Sequence, residues 1–70
     1  MTDTSYKILN YLKKNNGSTA KEVSVALEIE KRRVDSCFSA AIEQAGLGAR
    51  DRSVTPSRLV LNEKGMAYEQ

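Results

Sequence analysis

Two amphipathic helices separated by only a few residues occupy the middle of the sequence, and that spacing restricts the available folds more than any other feature. The first opens at Thr19-Ala20-Lys21-Glu22. This is a capping box, in which the Thr19 hydroxyl accepts the Glu22 amide and the Glu22 carboxylate reaches back to the Thr19 amide. Ala20, Val23, Ala26 and Leu27 form its apolar stripe, and the helix is expected to end near Leu27 or Glu28. The second is expected from Glu30 or Lys31 to Ala45. Its apolar positions Val34, Cys37, Phe38, Ala41, Ile42 and Ala45 recur at 3, 4, 7, 8 and 11 residues from Val34, the period of one helical face. Gly46 followed by Leu47 suits a Schellman ending. Ile29 falls between the two helices as an apolar plug, and a connection this short is helix-turn-helix spacing.

The flanks complete one domain over residues 1–70. Thr4 or Ser5 is expected to cap a first helix running to about Lys14, with Ile8, Leu9, Tyr11 and Leu12 as its apolar stripe. Asn15-Asn16-Gly17 supplies the stop, because Asn and Gly tolerate left-handed backbone. After Leu47 the pattern turns polar over residues 49–54. Thr55-Pro56-Ser57 reads as a turn and Arg58-Leu59-Val60-Leu61 as a strand, together a two-stranded antiparallel hairpin. Asn62-Glu63-Lys64-Gly65 is a further turn or a helix start, with Met66 and Tyr68 packing the tail onto the core. The expected fold class is mainly α with a small β-hairpin, a three-helix arrangement.

Residue content excludes much of protein chemistry. The 70 residues contain no His and one Cys, too few ligands for a His/Cys zinc site and none for an internal disulfide. Cys37 lies within the apolar stripe and reads as a buried, inert thiol suited to a reducing compartment. Without His there is no usual general base, and no Gly-rich phosphate loop or carboxylate pair marks a pocket, so no catalytic residue, metal, cofactor or small-molecule ligand is expected. Apolar runs such as Leu59-Val60-Leu61 are far too short to span a bilayer, and Met1 to Ser5 lacks the features of a signal peptide. A cytoplasmic protein that engages no membrane is expected.

The order of three helices and a hairpin resembles the winged helix-turn-helix regulators of bacteria and phages. The resemblance rests on Thr19-Ala20-Lys21-Glu22-Val23 to Leu27, on Glu43-Gln44-Ala45-Gly46-Leu47, and on Leu59-Val60-Leu61-Asn62-Glu63-Lys64-Gly65. The last stretch looks like the strand and turn of MarR-type DNA-binding domains. Ile8-Leu9 through Gly17, with Thr19 to Leu27 and Ala45-Gly46-Leu47, is similar to the small fimbrial phase-variation regulators of enterobacteria. The resemblance covers most of the chain and implies double-stranded DNA binding and transcription regulation, with the third helix in the major groove and the hairpin on the backbone. Glu30 to Val34 and Pro56-Ser57-Arg58 also look similar to motifs of domains that bind left-handed DNA. Those domains rely on an Asn, a Tyr and a Trp where this chain has Asp35, Ser39 and Leu59, which argues against that specialised use.

If Val34, Phe38, Ala41, Ile42 and Ala45 face inward, Arg32, Ser36, Ser39, Ala40 and Glu43 face outward, with Arg33 on a flank. Small Ser36, Ser39 and Ala40 would let the helix sit deep in a groove, while Lys31, Arg32 and Arg33 reach base edges or phosphates. The plainer reading of those cations is a solvated first turn. Arg50, Arg52 and Arg58 in the hairpin are candidate backbone contacts, or charges that keep a surface strand soluble. Thr19 and Lys21 open the second helix, where free amides donate either to a phosphate or only to a cap. Asp35 and Glu43 oppose phosphate binding, unless Asp35 pairs with Lys31 or Arg32 along the helix.

The 11 Lys+Arg against 9 Asp+Glu conceal a partition. Lys31 to Arg58 holds six basic residues against three acidic, and every Arg of the chain. The expected function is sequence-specific duplex DNA binding by a small regulator, gaining specificity through a homodimer or a partner regulator. The alternative is an interaction module that uses the same fold against another protein.

Overall fold

A computed structural model describes residues 1–69 of the chain. Thr2, rather than Thr4 or Ser5, caps the first helix, α1 (Asp3–Lys14), with its hydroxyl accepting the Ser5 amide at 3.2 Å. All three hydroxyls suit an N-cap, and burial decides among them. Ser5 lies three, four and seven residues before Ile8, Leu9 and Leu12, so it turns inward with them and accepts the Thr2 hydroxyl at 2.9 Å. Asn15 closes α1 and Gly17 takes φ +86°, the expected stop.

Two residues then form an unanticipated strand, β1 (Ser18–Thr19). The second helix, α2 (Ala20–Leu27), carries both halves of the capping box: Glu22 N–H to Thr19 Oγ1 at 3.1 Å and Thr19 N–H to Glu22 Oε1 at 2.9 Å. Ala20 and Val23 are buried and Leu27 is half-buried, whereas Ala26, expected in the stripe, is exposed. At about 100° per residue, Ala26 falls roughly 90° from the centre of the 20-23-27 line, beyond the reach of the core. Ile29 packs against the core as the expected plug.

The third helix, α3 (Lys31–Cys37), runs on into a π-helical segment (Phe38–Glu43). Val34, Phe38 and Ile42 are completely buried. Within the π segment the Gln44 amide reaches back five residues to Ser39 O, at 3.3 Å. The wider turn shifts the stripe that an α-helical period implies, leaving Ala41 half-buried and Ala45 exposed rather than in the core. Gly46, at φ +73°, ends the segment with both Schellman bonds: Leu47 N–H to Ile42 O at 2.9 Å and Gly46 N–H to Glu43 O at 3.1 Å.

The hairpin consists of β2 (Gly48–Asp51) and β3 (Arg58–Leu61), paired from Gly48↔Leu61 to Asp51↔Arg58. β1 adds to the other side of β3 through Ser18↔Leu59 and Thr19↔Arg58, giving an antiparallel sheet of order β1-β3-β2. Asn16 lengthens this ladder with its side chain, its Oδ1 accepting the Leu61 amide at 2.8 Å and its Nδ2 donating to Leu61 O at 3.3 Å. Leu59 and Leu61 point into the core beside Leu47. A short final helix, α4 (Glu63–Ala67), is capped by Asn62 and carries Tyr68 back onto Tyr6, with ring centroids 6.3 Å apart. Met66, expected to pack, is exposed, because the short α4 presents only Gly65 to the core.

The chain is therefore mainly helical with a small three-stranded antiparallel sheet, 28 × 25 × 20 Å overall. Among the described residues, no helix is long and apolar enough to cross a membrane.

Candidate nucleic-acid interface

Burial of Val34, Phe38 and Ile42 forces the opposite side of α3 and its π-helical continuation outward. Arg32, Ser36, Ser39, Ala40 and Gln44 line a shallow hollow there of about 530 Å³, with Asp35 and Arg50 along one side. Lys21, Lys31, Asp35, Arg50 and Arg52, together with Thr19 and Ser57, line a second hollow of about 400 Å³, where α2, α3 and the hairpin meet. The two hollows share Asp35 and Arg50 and so adjoin, forming a strip along α3. Gln44 is absent from the sequence-derived set. It completes the four-residue spacing Arg32, Ser36, Ala40, Gln44, and that spacing is the signal that marks it.

Two candidates fall elsewhere. Arg33 faces a separate hollow with Lys7, Glu28 and Glu30, and Arg58 stands on β3 opposite Thr19 and Asp51. Lys21, Lys31, Arg32, Arg33, Arg52 and Arg58 are all exposed, as are Ser36, Ser39 and Ala40, while Thr19 is half-buried in its capping role.

Arg50 differs from the other candidates. Its side chain is only 15% exposed, against 61% for Lys31. Nη1 bonds Asp35 Oδ1 at 2.9 Å, Nη2 donates to Asp35 O at 3.0 Å and to Ser39 Oγ at 3.2 Å, and Nε lies 3.4 Å from Glu43 Oε1. The guanidinium carbon also sits 5.4 Å from the centroid of the Phe38 ring. Asp35 takes a second cation, Lys31 at 3.3 Å, one helical turn away, as the sequence spacing suggests. Among the described residues, the ion pairs are Lys31–Asp35, Arg50–Asp35 and Arg50–Glu43, and none involves Arg32, Arg33, Arg52 or Arg58.

The carboxylates respond to these partners. Burial pushes the Asp35 carboxyl up, but hydrogen bonds from Arg50 and Lys31, with their charges, outweigh it and hold the group below the ordinary aspartate value. Asp51 is also held low, by bonds from the Ser53 hydroxyl and amide that start the hairpin loop. The Thr19 amide and hydroxyl lower Glu22 in the same way.

Chemically, the strip presents guanidinium and ammonium groups, small hydroxyls and one carboxamide along a surface helix, a set suited to holding a polyanion. No family model, curated protein or solved structure matches the chain.

Proposed function

We propose that the chain is a winged helix-turn-helix protein that binds double-stranded DNA as a small transcriptional regulator. The order helix, strand, helix, helix, strand, strand, with β3 central in the sheet, supports that assignment of the fold. The observation that carries the function is the strip along α3, small at its middle and flanked by exposed cations from three elements.

An α-helix with short side chains fits a major groove about 12 Å wide. Arg32 and Gln44 stand at opposite ends of the exposed line on α3 and its continuation, and they are the side-chain types that read guanine and adenine edges. Arg52 on the hairpin and Lys21 on α2 reach the phosphates on either side. A module of this size covers on the order of 600–1,000 Å² of DNA, which suits a half-site. Pairing with a second copy or a partner regulator supplies the remaining specificity.

Backbone NMR shifts recorded with a mixed-sequence duplex test the proposal. The expected result is a set of perturbed amides over residues 31–44 and 52–57. Perturbation confined to α1 and α4, or none at low salt, overturns it. A stoichiometric protein complex abolished by changes at Ser36, Ser39 and Glu43, with no response to DNA, establishes the interaction-module alternative instead.

A further inference from the structure

We infer that Arg50 is a positioning residue rather than a phosphate contact: with Asp35 and Glu43 it latches the hairpin to α3 and, together with Lys31, cancels the carboxylates beside the proposed groove-facing line. The inference deepens the DNA-binding reading and rests on it for its effect on affinity. The latch itself is a property of the free protein.

Every donor direction of the Arg50 guanidinium that the geometry shows points back into the protein. Its bonds reach a carboxylate, a main-chain carbonyl and a hydroxyl on α3 and its continuation, with a second carboxylate beside Nε and an aromatic ring nearby. Engaging a phosphate requires giving up several of these contacts at a site that is mostly shielded from water. The planar fork of Arg serves this set, whereas the single ammonium of Lys cannot reach all of it at once. Arg50 lies in β2 opposite Leu59, so the bonds join the hairpin directly to α3.

The electrostatic consequence follows from placement. Asp35 lies in the same hollow as Arg32, Ser36, Ala40 and Gln44, and Glu43 is bound to the same guanidinium. Without Arg50, two carboxylates would stand near a phosphate surface with only Lys31 paired against them. The sequence feature that opposed DNA binding is thus offset inside the fold by Arg50 and Lys31, while Lys21, Arg32 and Arg52 stay exposed with no ion pair among the described residues.

Fluorescence anisotropy with a mixed-sequence duplex separates a latch from a contact, using R50Q in the native background and in a D35N/E43Q background. A latch predicts a loss of about tenfold or more in the native background and less than about twofold in the neutral one, because the loss comes from released carboxylates. Equal losses in both backgrounds identify a direct phosphate contact and overturn the inference. Amide hydrogen exchange of residues 49–57 without DNA reads the latch separately. R50K, R50Q and D35N/E43Q each speed hairpin exchange relative to α1, and D35N/E43Q supplies this result if R50Q does not fold. Unchanged hairpin exchange in these variants also overturns the inference. Failure of the native chain to bind duplex at low salt overturns the DNA reading alone, and the exchange measurement still decides the latch.

Discussion

Gly65→Ala sets two physical effects of opposite sign against each other. Gly65 lies in the middle of α4, where helix propensity alone favours Ala by about 0.8–1 kcal/mol. The packing opposes it. A Cβ at Gly65 would stand 2.1 Å from the carbonyl oxygen of Leu47 and 3.1 Å from the Leu61 side chain. That carbonyl cannot swing away freely, because it accepts the Asn62 amide at 3.0 Å. Asn62 in turn caps α4 by accepting the Gly65 amide at 2.9 Å and donates to Gly46 O at 2.7 Å. Relief requires α4 to move by about 1 Å, which adds the loss of one or two net hydrogen bonds of roughly 1 kcal/mol each to an overpacking cost of roughly 1–3 kcal/mol. The sum less the propensity gain is a destabilisation of about 1–4 kcal/mol, in a domain whose whole stability is of the order of 4–10 kcal/mol. At about 4–8 °C per kcal/mol for a domain this small, Tm falls by roughly 5–30 °C. Thermal unfolding followed by circular dichroism measures it. A Tm equal to or above that of the native chain would refute the argument, because it would mean that propensity, and not the Leu47 carbonyl, governs this corner.

Three further outcomes follow from the same physics. Thr19→Ala removes the acceptor for the Glu22 amide and costs about 1 kcal/mol, read as a lower urea midpoint at unchanged m. Leu59→Ala, at a completely buried position on the central strand, costs about 2–5 kcal/mol, read as a Tm lower by roughly 10 °C or more in far-ultraviolet dichroism. Because Asp35 is held below its ordinary value in the folded chain, its share of stability is present above the unfolded carboxyl value near about 4 and is lost as pH falls through the folded value. Asp35→Asn therefore flattens the acid limb of the stability profile below about pH 4, and an unchanged limb would show that Asp35 contributes nothing to it.

Local devices were the legible part of this sequence. The Thr19–Glu22 capping box and the Gly46-Leu47 ending depend on residues within five positions of one another, and both form as the spacing implies. Val34, Phe38 and Ile42 are buried because four-residue steps keep them on one face even where the helix widens. The widening itself was illegible: an α-helical period assigns Ala45 to the core, whereas a bond spanning five residues leaves it exposed. β1 is illegible for a different reason. Ser18 and Thr19 carry no strand pattern, and they are strand only because Leu59 and Arg58 lie opposite, some 40 residues away. At the candidate interface, composition singled out the arginines but could not separate them. Only the fold brings Arg50 within reach of Asp35 and Glu43 while leaving Arg32 and Arg52 exposed.

The central claim is that exposed cations of α3 and the hairpin hold duplex DNA, and the salt dependence of duplex affinity tests it most directly. Each neutralised phosphate contributes about −0.9 to the slope of log affinity against log salt, so three to five engaged cations give roughly −3 to −4.5. The predicted result is a slope in that range for the native chain, lowered in magnitude by about 1–2 in R32A/R52A, with at least a tenfold loss of affinity. Absence of binding at low salt, or an R32A/R52A variant that binds with the native slope and affinity, would contradict the account.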